Sequence, residues 1–332
     1  MKEEVLQLLR EHPSGFLSGE EISRRLKVTR TAVCKRVKRL RNLGYEIEAS
    51  TRSGYRLLRS PDLLTPSEIK PILRTKCMGK AIHHFHTIDS TNVKAYQLAL
   101  NGAGEGEVVI AESQEQGRGR LGRHWFSPPF LNLYLSVILR PDIPPHQAPL
   151  ITLVAAVATA DAIEKISGLH PLIKWPNDIL LGGRKVAGLL NEIHSEVDRI
   201  HFVILGIGVN LNMDGKTFPR EIRALATSLK KEMGQAISRK AFVQSLLEGL
   251  ERWYGIFLKE GGPVILRAWR DRARIKGRPV KVTSFGESLT GIAIDVDSDG
   301  ALIIETKKGE RKRVVSGDIE YKGSKLKDAE DH

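Results

Sequence analysis

The sequence predicts an α+β protein in three parts: a winged helix-turn-helix at the N-terminus, a central domain that mixes helices and strands, and a small β-barrel at the C-terminus. Three observations carry this expectation. Positive charge is concentrated at one end, the centre alternates apolar helical runs with strand-like runs, and the last segment is a series of short alternating stretches. A chain of 332 residues is long for one domain and suits two or three. Of a net charge of +13, residues 1–60 hold 14 Lys/Arg against 7 Asp/Glu, while residues 61–263 hold 23 against 20 and residues 264–332 hold 15 against 12. Such a basic end suits a polyanion, although a solvated basic face satisfies the charge alone.

Composition excludes several classes. A hydrophobic fraction of 41% is enough for a real core. The longest apolar stretch, residues 150–160, contains Thr152 and Thr159 and stops at Asp161, so no membrane span is expected. The opening residues carry acids where a secretory signal needs cations. Two cysteines, Cys34 and Cys77, argue against a disulfide framework and for a reducing cytoplasm.

At the N-terminus, Val5, Leu6, Leu8 and Leu9 share one helical face. Ser18 and Glu21 then have capping-box spacing, opening a helix over about residues 19–26 that buries Ile22 and Leu26. Lys27-Val28 turns, and Thr29 caps a second helix that runs to Leu43 and ends at Gly44. Val33, Val37 and Leu40 recur at helical spacing on a helix otherwise covered with cations. Two short helices of this kind make a helix-turn-helix. Beyond Gly44 the period becomes two, with a turn at Arg52-Ser53-Gly54, which predicts a wing carrying Arg52 and Arg56 towards a phosphate backbone. Arg30, Thr31 and Arg36 are the candidates for base edges, with Lys35, Arg39 and Arg52 among the phosphate contacts; a helical subdomain making protein contacts is the alternative.

The central part contains GRGRLGRHW at 117–125, which satisfies the G-x-G-x-x-G dinucleotide pattern. A dinucleotide loop must open straight into a helix. Here Pro128-Pro129 and an alternating run over 131–139 follow, so a nicotinamide reading fails. Gly215-Lys216-Thr217 ends like a Walker loop but lacks the earlier glycine. Glycines interleaved with Arg118, Arg120 and Arg123 suit a mobile loop closing over an anion; three neighbouring cations repel, so order is expected only around a ligand. Residues 88–92 (IDSTN) read as an N-cap entering a helix, and 172–181 (LIKWPNDILL) as a strand broken by a polar bend. Gly182-Gly183 makes a hairpin turn that returns through Lys185 on a rigid strand, with Gly188 admitting a ligand close to the backbone. Residues 201–211 form a buried strand with glycines and Asn210 at its end. His83, His84 and His86 lack a cysteine or carboxylate at ligand spacing in the chain and read as the wet face of a strand. Cys34 reads as core, and Phe242, Leu246, Leu250, Trp253 and Phe257 as packing along a helix over 238–258.

Taken in order, DSTN, GRGRLGRHWFSP, KWPNDIL, GGRKVAGLL and GIGVNLN, with the basic helix-turn-helix before them and GRPVKV after, make the chain resemble the bifunctional biotin–protein ligases that are also biotin operon repressors. The resemblance runs essentially end to end. It implies domains at 1–62 (winged helix-turn-helix), 63–272 (mixed-sheet ligase of the biotin/lipoate type) and 273–332 (SH3-like barrel). It implies biotin and Mg-ATP as substrates, biotinyl-5′-AMP as intermediate, and transfer to a lysine of a biotin carboxyl carrier protein. Biotin and adenylate contacts fall on Ser90, Thr91, Asn92, Gln114, Gly117, Arg118, Gly119, Arg120, Lys185 and Gly188. Arg123 belongs to the closing loop, Trp125 flanks the biotin rings, Asp178 is the candidate for Mg2+, and Asn210 supplies a supporting hydrogen bond. Arg120, Lys185 and Asp178 are the catalytic candidates, and Lys322 is the nearest match to a cation by the adenine. Adenylate binding is expected to favour a homodimer that presents two basic helices to operator DNA. A lipoate ligase shares the core but gives no reason for the N-terminal DNA reader, and a regulator without ligase activity stays open at this point.

Overall fold

The computed structural model describes every residue except Met1, Ser14, Leu43, Thr51, Phe285 and 322–332. It forms two compact units, residues 1–71 and 72–332.

In the first unit α1 (Lys2–Arg10), α2 (Gly19–Leu26) and α3 (Arg30–Asn42) pack around Val5, Leu6, Leu9, Ile22, Val33, Val37 and Leu40. The Ser18 hydroxyl accepts from the Glu21 amide at 3.0 Å, but the reciprocal half of the expected box is spent differently: the Glu21 carboxylate pairs with Arg24 and Arg25. Thr29 Oγ1 accepts from Ala32 N at 3.2 Å and caps α3. The wing is β1 (Glu46–Ser50) against β2 (Gly54–Arg59), with Ile47 opposite Leu57 and Ala49 opposite Tyr55. Gly54 has φ +104°, and any side chain there would collide with Leu17 O. The unit extends through Pro71 because α4 (Pro66–Ile69) is tied back by Glu68, which accepts from Tyr45 Oη at 2.6 Å and pairs with Arg10. Burial and the Glu68 carboxylate both push the Tyr45 phenol above its ordinary range.

The second unit is built on a seven-stranded mixed sheet ordered β3-β4-β5-β9-β8-β7-β6. Its strands are β3 (Ile82–Ile88), β4 (Val108–Gln114), β5 (Leu133–Leu139), β6 (Leu172–Lys174), β7 (Asp178–Leu181), β8 (Arg184–Ser195) and β9 (Ile200–Val209). Only β3 and β4 run parallel. Helix α5 (Thr91–Leu100) covers part of the sheet through Ala95 and Ala99, which join Val109, Ile138, Phe202 and Ile204. Helix α6 (Leu150–Ser167) is buried almost all round, sandwiched with α8 (Arg239–Glu260) and α9 (Gly262–Ala273); α7 (Leu229–Met233) is a single short piece. No helix among the described residues is long and apolar enough to cross a membrane. A fully buried pair, Arg239 Nη1 and Glu112 Oε2 at 2.7 Å, fastens the start of α8 to β4. His84 reaches the same carboxylate at 3.3 Å and His83 reaches Glu107 at 2.8 Å, so carboxylates absent at ligand spacing in the chain arrive from the neighbouring strand.

The C-terminal strands β10 (Pro279–Ser284), β11 (Glu287–Val296), β12 (Leu302–Thr306), β13 (Arg311–Val314) and β14 (Asp318–Tyr321) form one antiparallel sheet ordered β13-β12-β11-β10-β14. The expected barrel is not closed: β13 and β14 are its two edges among the described residues. This sheet is fastened to the seven-stranded part of the unit where Trp175 Nε1 donates to Gly300 O at 3.0 Å.

Candidate functional site

One cavity of about 1300 Å³ gathers most of the residues singled out from the sequence. It is lined by the entrance of α5, the end of β4, the glycine–arginine loop, the β6–β7 bend, the facing parts of β8 and β9, residues 218–226, and the start of β14.

Its apolar floor follows from sheet register. Gly188 on β8 lies opposite Gly208 on β9, leaving two bare backbones side by side. Trp125 covers them: a Cβ on Gly208 would lie 2.6 Å from the indole, and one on Gly188 3.0 Å from it. Sequence reading marked Gly188 and missed Gly208, although the glycines of GIGVN were the available signal. Gly117 is glycine because a side chain there would run into Trp125 O and Ser127 Oγ.

The α5 entrance differs from the simple N-cap expected of it. Ser90 occupies the cap position without a side-chain capping bond and lines the cavity instead. Thr91 donates both its amide and its hydroxyl to Gln114 Oε1, at 2.9 and 3.1 Å. Asn92 is buried and donates to Glu192 Oε2 at 2.6 Å.

Among the cations that line the cavity, Lys185, Arg118 and Arg120 each have a partner. Lys185 Nζ lies 2.6 Å from Asp178 Oδ1 and 5.3 Å from the centre of the Trp125 ring. Arg118 lies 3.9 Å from Glu192. Arg120 donates to Ser316 Oγ at 2.7 Å, Asn177 Oδ1 at 3.2 Å and Gly317 O at 3.3 Å. Burial lowers the Arg120 pKa from its ordinary value, while Asp318 and Asp178 pull in the other direction, so the guanidinium stays charged. Arg123 pairs with Asp318. Gly119 extends into a tight 3-10 turn at Arg120–Gly122, whose tip, Leu121, adopts φ 56° with its side chain exposed. Ligand-dependent order was expected because the arginines appeared uncompensated; the structure supplies compensation for each, most of it from the distant C-terminal sheet.

Asn210 and Asp178 each have a partner of their own. Asn210 is 5% exposed and its amide donates to Thr227 O at 3.0 Å, so its hydrogen bond braces the cavity wall. The Asp178 carboxylate lies against the Lys185 ammonium, on the cavity wall. Lys322 lies outside the described residues. Sequence reading missed Lys174, Ser316, Asp318 and Tyr321. Burial pushes the Tyr321 phenol up to about 12, with Arg278 working against it and Asp178 with it. Arg278 lies 5.2 Å over the ring.

In the first unit, Thr31, Lys35, Arg39 and Arg52 are exposed, and Arg30 is exposed while paired with Glu20. Arg36, expected at a base edge, is instead only 14% exposed along its side chain and lies 3.7 Å from Glu4 of α1. Arg56, expected on a phosphate, holds Glu48 at 2.6 Å and stacks over Phe16. Cys34, expected in the core, is exposed.

Residues 84–210 match the biotin/lipoate A/B protein ligase family, residues 2–56 an HTH domain, and residues 276–321 the biotin protein ligase C terminal domain. The bifunctional ligase/repressor BirA of Bacillus subtilis (strain 168) is 39% identical over 320 residues, spanning 96% of this chain and 98% of that protein. The chain belongs to the family of bifunctional biotin protein ligase/repressors. A more distant member, BirA of Escherichia coli (strain K12), is 31% identical over 93% of this chain and 94% of its own. The biotin protein ligase from Aquifex aeolicus, solved in complex with biotin and ATP, superposes with a TM-score of 0.63 at 27% identity, covering 74% of this chain and 100% of that one.

Proposed function

We propose that the protein activates biotin with Mg-ATP to biotinyl-5′-AMP, transfers the biotinyl group to a lysine of a biotin carboxyl carrier protein, and represses transcription through its N-terminal unit when the adenylate is bound. The observation that carries this reading is the meeting of Arg118, Arg120 and Lys185 at one cavity beside the Trp125 platform.

Both first reactants are anionic, so a carboxylate oxygen approaches the α-phosphorus only against repulsion. Fixed cations lower that barrier by stabilising charge as it builds on the phosphoryl oxygens. The new P–O bond forms as the bond to the β-phosphate oxygen breaks, and pyrophosphate leaves with the electron pair. Magnesium enters as part of the nucleotide substrate, and Asp178 is the carboxylate we assign to it, released once Lys185 turns to the anion. At side-chain exposures of 34% and 23%, the Lys185–Asp178 pair holds about 1 kcal/mol or less, small enough for a phosphate to displace. In the second step the carrier lysine, as free amine, attacks the acyl carbon, loses a proton, and AMP departs. Trp125 and the glycine platform hold the apolar rings, while Ser90, Thr91, Asn92 and Gln114 present polar groups to the ureido end.

We assign residues 1–62 to DNA reading, 63–272 to ligation and 273–332 to closing the arginine loop, and place the work in a reducing cytoplasm, which suits the two free thiols. Operator contacts come from Arg30, Thr31, Lys35, Arg39 and Arg52, with Arg36 reaching a base only after leaving Glu4. A homodimer of the adenylate-bound protein presents two such helices. Transfer of radiolabelled biotin to a carrier domain, dependent on Mg-ATP and accompanied by AMP and pyrophosphate, tests the ligase. Operator titration with and without biotin and ATP tests the repressor: equal affinity in the two conditions removes it.

A further inference from the structure

We propose that Ser136 and Glu192 are positioning residues for the biotin end of the cavity, because together they complete a run of polar contacts, an ion pair followed by hydrogen bonds, that leaves the arginine loop at one end and rejoins it at the other. The proposal rests on the biotin reading above and deepens it.

The run begins at Arg118, whose guanidinium is 3.9 Å from Glu192 Oε1. The other carboxylate oxygen, Oε2, accepts from Asn92 Nδ2 at 2.6 Å. A second bond from the same amide nitrogen, to Leu190 O at 3.4 Å, fixes which way the Asn92 amide faces, with Oδ1 turned to Ser136. Ser136 Oγ is 2.6 Å from that oxygen and 2.8 Å from Thr91 Oγ1. Thr91 leads to Gln114, whose Nε2 donates to Ser127 Oγ at 3.0 Å. The Ser127 hydroxyl donates to Trp125 O at 2.9 Å, at the far end of the loop that Arg118 opened.

Ser136 is the link that decides the polarity of the rest. It is fully buried in the middle of β5 and has one proton, whereas Asn92 Oδ1 can only accept. Thr91 Oγ1 also accepts from Ser136 whenever its own proton goes to Gln114. One proton therefore has two claimants, and the Thr91 hydroxyl has two settings: towards Gln114, or towards Ser136 with the serine proton then passing to Asn92. The second setting leaves Gln114 Oε1 with the Thr91 amide alone, and so with room for one more donor. A ligand bearing N–H groups, as the ureido ring does, matches that demand. Glu192 acts at the other end: a ligand that takes Arg118 leaves Asn92 as the remaining polar partner of its carboxylate among these contacts.

Steady-state kinetics with biotin and Mg-ATP on the full chain test the proposal. Ser136→Ala removes the proton and is expected to raise the biotin KM about tenfold, the size of one orphaned buried acceptor, with the ATP KM and kcat within twofold of the parent. Glu192→Gln, on a side chain one-third exposed, keeps the fold and an acceptor for Asn92 but drops the charge; it is expected to raise the biotin KM about threefold and to flatten its dependence on salt. A biotin KM unchanged in both variants overturns the proposal. So does an equal rise in biotin and ATP KM, which marks a general packing defect. Should Ser136→Ala fail to fold, the Glu192→Gln result decides by itself. Absence of biotin-dependent pyrophosphate release from the unmodified protein defeats the ligase reading instead, a separate outcome.

Discussion

Lys185 and Arg120 reach the same cavity by opposite routes. Lys185 is aimed by its backbone: its strand pairs with β7 on one side, and its own amide and carbonyl are bonded to Leu225 and Thr227 on the other, at 2.8 and 2.9 Å. Arg120 sits in a 3-10 turn with a left-handed residue beside it, and is held through its guanidinium by Asn177, Ser316 and Gly317. One cation is built into a sheet; the other is held by groups it can exchange for a ligand's. We propose that the arm anchored in the sheet does the chemistry, its backbone fixed and only its ammonium moving from Asp178 to the ligand, and that the loop arm, held at every polar contact by groups a ligand can replace, does the closing.

Breaking the rigid arm gives the largest effect. Lys185→Ala is expected to slow biotin-dependent pyrophosphate release by about 10²–10³-fold, with a smaller change in biotin affinity; single-turnover kinetics separate the two. Next comes the platform beneath Trp125. Gly208→Ala places a methyl 2.6 Å from the indole, forcing the ring to move, and is expected to raise the biotin Kd by about tenfold or more, measurable by isothermal titration. On the adjustable arm, Arg120→Ala is expected to speed loss of preformed adenylate by about tenfold while adenylate formation survives, so that activated biotin escapes before transfer; trapping released adenylate with hydroxylamine reads this. The smallest effect belongs to Asp318→Asn, which breaks the exposed Arg123 pair and removes one of two carboxylates acting on Arg120: about a twofold faster adenylate release, smaller at high salt. If the order of Lys185→Ala and Arg120→Ala is reversed for the chemical step, the division of labour is wrong.

The same contrast explains what could be read from the sequence. The helix-turn-helix was legible because its signals are local: Ser18, Thr29 and the Val33/Val37/Leu40 spacing each act within a turn or two, and α2 and α3 begin where those caps place them. The glycine–arginine loop and the Lys185 hairpin were legible as pieces, each with its own turn chemistry. What holds the loop was not. Ser316 contacts Arg120 across 196 positions of chain, and nothing in the run around Ser316 marks it. Arg36 looked available because helical spacing places it among exposed cations, but Glu4 comes from a different helix. Gly208 became meaningful only once register set it against Gly188.

A crystal structure of the chain with biotinyl-5′-AMP bound tests the central claim most directly. The account expects Lys185 Nζ to have left Asp178 and to lie within about 3 Å of an oxygen of the acyl phosphate, with Arg118 and Arg120 turned inward over the ligand. Those three side chains directed into bulk solvent, with Lys185 still on Asp178, would contradict it.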